Sequence, residues 1–110
     1  MNLNIISLDS FNKDVKRLFK KYKQITNDLK ILKDILVKNP KQGVELGHNC
    51  FKIRLENSSI PTGKRSGFRV VYYYLGQQNK LFLMSIYSKS ELDNISDEKI
   101  IEILKNNHLS

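Results

Sequence analysis

The segment Cys50 to Tyr74, CFKIRLENSSIPTGKRSGFRVVYYY, gathers the residues of this chain best suited to chemistry on a polyanion. It carries Lys52, Arg54, Lys64, Arg65 and Arg69, opposed only by Glu56, with Tyr72, Tyr73 and Tyr74 close behind. On a strand, residues two apart face the same way. Lys52 and Arg54 therefore share one face of one strand, Arg69, Val71 and Tyr73 one face of the next, and Ser85 and Tyr87 one face of a third. If those faces coincide, the sheet presents Lys52, Arg54, Arg69, Tyr73, Ser85 and Tyr87 together, with Lys64, Arg65 and Lys89 at its rim. Guanidinium and ammonium groups hold phosphates, and tyrosine rings stack on splayed bases, so RNA is the leading candidate ligand. RNA carries its own nucleophile, the 2′-OH. Its cleavage asks a protein for orientation, charge stabilisation and proton transfer rather than a side-chain nucleophile. A lysine or a tyrosine in a cationic pocket is a candidate base.

Other chemistries find less support. His48 and Cys50 are close in sequence, but His108 sits near the terminus and no further His/Cys cluster accompanies them, so no metal site is expected. No Gly-x-Ser-x-Gly elbow occurs, and Cys50 has only His48 as a possible partner. Gly63-Lys64-Arg65-Ser66-Gly67 lacks the upstream glycine of a phosphate-binding P-loop and opens a strand rather than a helix.

The elements that must position these groups are legible from periodicity. Leu3 to Leu8 reads as a short strand, followed by a helix with Asp9 or Ser10 as its cap. Phe11, Val15, Leu18, Phe19 and Tyr22 recur at helical spacing, with Lys13, Lys16, Arg17, Lys20 and Lys21 on the other side. A break near Thr26–Asn27 leads to a second helix through Ile25, Leu29, Leu32, Ile35 and Leu36, ended by Asn39-Pro40. Lys41 to Asn49 reads as a loop. Phe51, Ile53 and Leu55 alternate with Lys52, Arg54 and Glu56 as a strand; Phe68–Leu75 and Lys80–Ser88 follow as two more, in an antiparallel meander. Ser96 caps a last helix with Asp97 and Glu98 in its first turn. The order is β-α-α-β-β-β-α, an α+β fold with a small, largely antiparallel sheet and the N-terminal helical hairpin on one face.

At 110 residues the chain is expected to form one domain, 1–110, with a single modest core. The formal net charge is +8, distributed unevenly: residues 1–89 hold 17 Lys/Arg against 6 Asp/Glu, and residues 90–110 hold 2 against 5. Such a basic body attracts phosphate. A lone cysteine, no secretory pattern and no long apolar run point to the cytoplasm and to no membrane.

GHNCFKIRL (Gly47–Leu55), GKRSGFRVVYYY (Gly63–Tyr74) and LFLMSIYSKSELDNIS (Leu81–Ser96) resemble RelE/HigB-type toxins of bacterial type II toxin–antitoxin modules, of the RelE/ParE superfamily. The central and IYSKSE-type segments are closest to the HigB-like branch. The resemblance implies a ribosome-dependent mRNA interferase: an endoribonuclease that cleaves the codon in the ribosomal A site through the 2′-OH, without metal or cofactor. It also implies a cognate antitoxin, with the toxin monomeric outside that complex. The family's basic pair falls on Lys52 and Arg54 and its strand arginine on Arg69, with Tyr87 near where the pocket closes. Lys64 and Arg65 match a basic loop expected to meet ribosomal RNA; Tyr73 and Lys89 are the further RNA contacts. The best-studied branch has an additional arginine in the segment matching Lys89–Glu91 and a later tyrosine. Here Ser90 and small or aliphatic residues stand there, so the general base and the stacking residue are open between Tyr73 and Tyr87. The alternatives on the same scaffold are a ParE-like DNA gyrase inhibitor and a non-catalytic RNA-binding domain.

Overall fold

The computed structural model describes residues 2–61 and 67–109. In chain order the elements are β1 (Asn4–Ser7), α1 (Asp9–Phe19), α2 (Ile25–Lys38), β2 (Val44–Gly47), β3 (Cys50–Leu55), β4 (Phe68–Leu75), β5 (Lys80–Ser88) and α3 (Asp97–Asn106). They form one five-stranded sheet in the order β1-β5-β4-β3-β2. Every pairing is antiparallel except β1 with β5. The predicted α+β architecture and meander are thus present, and so is a strand the sequence reading assigned to a loop. Val44–Gly47 folds back on β3 through a tight turn in which Gly47, His48 and Asn49 all take positive φ. Glycine adopts that conformation without a Cβ penalty, and His and Asn tolerate it better than most.

The helical hairpin closes one face of the sheet. Phe11, Leu18, Tyr22, Ile25, Leu32 and Leu36 pack on Phe51, Ile53, Leu55, Phe68, Val70, Tyr72, Leu81, Leu83 and Ile86. Tyr22 meets Phe68 edge-on at 5.5 Å, and Phe51 stacks on Tyr72 at 5.4 Å. The Tyr72 hydroxyl leaves this core at its rim, donating to the Pro40 carbonyl at 2.7 Å and accepting from the Gly43 N–H at 3.1 Å. It thereby ties the end of α2 to the sheet. The break between the helices falls at residues 20–24, earlier than predicted, because Ile25 already belongs to α2.

On the opposite face α3 covers a second core of Cys50, Val71, Tyr73, Met84, Tyr87, Ile95, Ile100, Ile103 and Leu104, joined by Leu8. Ser96 caps α3 as expected, its hydroxyl accepting from the Lys99 N–H at 3.1 Å. The α1 start differs from expectation: Leu8 is its N-cap residue, and no side chain caps it. Ser10 instead donates to the Met84 carbonyl at 2.6 Å, and the Asp14 carboxylate accepts from the Ile86 N–H at 3.1 Å. Beyond the end of β1, these two side chains satisfy the edge of β5 that would otherwise be open to pairing.

One irregularity decides what the open face displays. The β4–β5 register shifts between Val71 and Tyr72: Val71 pairs with Ser85 but Tyr72 with Leu83, leaving Met84 as an extra residue. Without this bulge, strict alternation from Leu81 and Leu83 would turn Tyr87 into the helical-hairpin core. With it, Ile86 faces that core and Tyr87 the other side.

Candidate nucleic-acid site

Strand register places the predicted residues in rows. Arg54 pairs with Arg69, and Arg69 with Tyr87; one row behind, Lys52 pairs with Val71, and Val71 with Ser85. Direct partners share a face, so the faces do coincide. The end of the sheet beyond α3 opens into a cavity of about 590 Å³ lined by Val44, Leu46, Lys52, Arg54, Arg69, Lys89 and Asp93. Arg54 is exposed and Lys52 half-buried. Arg69 is 7% exposed, with Nη1 donating to the Phe68 carbonyl at 3.3 Å. Burial lowers the pKa of its guanidinium, and the like charge of Arg54 opposite adds to this, while Tyr87 opposes it. Two guanidinium groups facing each other across adjacent strands repel, and an anion shared between them eases that repulsion.

Tyr87 closes the row. It is 2% exposed, and burial raises its phenol pKa, an effect opposed by the Ile95 backbone N–H and by Arg69. It is therefore a neutral phenol near pH 7. Its hydroxyl lies 3.3 Å from Asn94 Oδ1, which also accepts from Lys52 Nζ at 3.0 Å. Lys89 reaches the Asp93 carbonyl at 3.3 Å.

The sites named from sequence divide accordingly. Lys52, Arg54, Arg69 and Lys89 line one cavity, and Tyr87 ends its central row. Tyr73 lies elsewhere: it is 6% exposed, beneath α3 and 6.0 Å from Phe82, so it offers no open ring to a base. Ser85 shares the face, but its hydroxyl is committed to Asp14 at 3.0 Å. The predicted docking-loop residues Lys64 and Arg65 lie outside the described residues. Cys50 is fully buried beside Met84, and burial pushes its thiol up to about 11. It donates to the His48 carbonyl rather than to the imidazole, so it forms no nucleophile–base pair with that ring.

Sequence reasoning missed three contributors. Val44 and Leu46 form the apolar wall of the cavity, 69% and 38% exposed. Their two-residue spacing ahead of the Gly47–Asn49 turn is a hairpin signal that the loop assignment passed over. Asn94 sits in an irregular segment and carries no such signal.

No protein-family model matches the chain. The fold is similar to that of a solved toxin structure. The free-state structure of a mutant of E. coli toxin RelE is 18% identical, covers 96% of this chain and 98% of its own, and has a TM-score of 0.60. A metal-bound toxin from Helicobacter pylori is 23% identical over 82% of this chain and 98% of its own, with a TM-score of 0.49. The α+β architecture is that of a RelE-like toxin.

Proposed function

We propose that this protein is the toxin of a type II toxin–antitoxin module and acts in the cytoplasm as a ribosome-dependent mRNA endoribonuclease. The observation that carries this reading is the row Arg54–Arg69–Tyr87, flanked by Lys52 and Lys89 around an open cavity on a RelE-like fold. Arg54 and Arg69 grip the scissile phosphate from two strands, which relieves their mutual repulsion and counters the charge of the pentacovalent transition state. Lys52 approaches from the next row. The 2′-OH attacks the adjacent phosphorus and the P–O5′ bond breaks, giving a 2′,3′-cyclic phosphate and a 5′-hydroxyl. The proton of the 2′-OH passes to solvent water, and another reaches the 5′-oxygen. Tyr87, a neutral phenol at the end of the row, is suited to the second of these transfers, the leaving 5′-oxygen replacing Asn94 Oδ1 as acceptor of its proton. With Tyr73 buried, Val44 and Leu46 supply the apolar contact for a base. The partners are the ribosome with its mRNA and a neutralising antitoxin.

Purified protein is expected to cut mRNA at codon boundaries on programmed ribosomes and to leave naked RNA intact. Arg69→Ala is expected to lower that cleavage roughly 100-fold or more while the fold persists. Equal cutting of naked and ribosome-bound RNA would sink the A-site mechanism. Growth arrest with inhibited gyrase supercoiling and intact mRNA would point to the gyrase-directed alternative.

A further inference from the structure

The cations of the pocket and the Tyr87 phenol beside it stand on the sheet, but the group that joins two of them does not. Asn94 lies between β5 and α3, and its Oδ1 is 3.0 Å from Lys52 Nζ and 3.3 Å from the Tyr87 hydroxyl. An ammonium group only donates, so the atom facing Lys52 must be the amide oxygen and not the nitrogen. An amide oxygen only accepts, so the Tyr87 hydroxyl in contact with it must donate its proton to that oxygen. One side chain thus sets the position of an ammonium group and the direction of a phenolic proton.

The segment bearing Asn94 is held at both ends. Glu91 accepts from Arg17 on α1 at 2.6 Å, and Arg17 also binds Asp14 at 2.8 Å. Beyond Asn94, Ile95 is buried in the second core and Ser96 caps α3. Asn94 is exposed, yet its backbone is anchored on either side.

We infer that Asn94 is a positioning residue for the phosphate pocket, orienting Lys52 and the Tyr87 hydroxyl through one shared acceptor. This rests on the ribonuclease reading of that pocket. Two neighbouring groups invite comparison. Asp93 offers Lys89 its backbone carbonyl at 3.3 Å and, more loosely, its carboxylate at 3.9 Å, both at the rim. The Asn94 contacts belong to a side chain, and because that side chain is uncharged they orient Lys52 without neutralising it. A carboxylate there would keep the acceptor but neutralise Lys52.

The test is a double-mutant cycle on programmed ribosomes. Asn94→Ala is expected to lower kcat roughly tenfold or more with KM changed less than about threefold, since misorientation rather than lost charge is the defect. Asn94→Asp is expected to retain more of kcat than the alanine variant but to raise KM. In a Lys52→Ala background, Asn94→Ala is expected to cost clearly less than in the wild type, because the share of its effect that runs through Lys52 is already lost. Full multiplication of the two losses would overturn the inference. A second readout does not depend on cleavage: NMR titration of tyrosine labelled with carbon-13 at the ring carbon bearing the hydroxyl, with Tyr87 assigned through Tyr87→Phe. Loss of the acceptor is expected to lower the Tyr87 pKa in Asn94→Ala, because a bond donated by the phenol favours its protonated form. An unmoved titration overturns the role of Asn94 even in a protein that cleaves. A moved titration in a protein that does not cleave upholds the contact and overturns the nuclease reading instead.

Discussion

The two faces of the sheet use the same strands in opposite ways. Under the helical hairpin, Phe51, Ile53, Leu55, Phe68, Val70 and Tyr72 are all buried in apolar contact. On the other face the same strands are apolar at one end of the sheet, with Cys50, Val71 and Tyr73 under α3, and carry Lys52, Arg54 and Arg69 around an open cavity at the other. The ten-residue α3 covers only part of that face. One face thus supplies rigidity, while the other, incompletely covered, can hold like charges near each other. Such charges cost stability locally, and the closed face offsets that cost.

The sharpest way to break this division is to exchange the consequences of substitution. Phe68→Ala, in the closed core, is expected to cost about 3–5 kcal/mol in urea unfolding, and Lys52→Ala less than about 0.5 kcal/mol. Similar losses for both would erase the distinction. Next in size is an alkaline effect from both faces. The buried Cys50 thiol has its pKa raised to about 11 from an ordinary 9.0, and burial raises Tyr72 and Tyr87 as well. Each is neutral when protonated, so the unfolded chain releases its protons first. Stability is therefore full below about pH 9 and falls as pH rises toward about 11. The Cys50 share is on the order of 2–3 kcal/mol, and Cys50→Ala should flatten the urea-midpoint profile by that much.

Tyr72→Phe sharpens the account of how the hairpin is fastened. Removing its hydroxyl leaves the Pro40 carbonyl and the Gly43 N–H without that partner, and a loss of about 1–3 kcal/mol is expected by thermal or urea unfolding. The smallest effect has the opposite sign. Arg54→Gln removes the like charge facing Arg69 and should raise stability by about 0.2–1 kcal/mol at low salt, the gain shrinking as salt is added. The same variant is expected to cleave poorly. A protein that became both less stable and fully active would contradict the assignment of Arg54 to an anion pocket.

Much of this was legible from residue order. The alternation in Phe51–Leu55 and the bounds Phe68–Leu75 and Lys80–Ser88 matched the strands, because half-buried antiparallel strands write their burial into a period of two. The cap at Ser96 was readable because its geometry is local. β2 was passed over because all four of its residues are exposed and the burial signal is faint. Ser10 is expected as a cap and Asp14 carries no expectation, and their contacts escape local reading for a different reason: the groups they satisfy, on Met84 and Ile86, lie over 70 residues away.

The candidate site divides along the same line. By itself the sequence determined the inventory, with Lys52, Arg54 and Arg69 on strands of known phase and a chain basic enough to seek phosphate. Only the tertiary structure decided which of these meet. The Met84 bulge turned Tyr87 toward Arg69, α3 withdrew Tyr73 from solvent, β2 contributed an apolar wall, and a connecting segment delivered Asn94 to Lys52 and Tyr87. Periodicity records which side of its own strand a residue faces. Register, bulges and what lies on top are set by the packing of distant segments, and no local pattern encodes them.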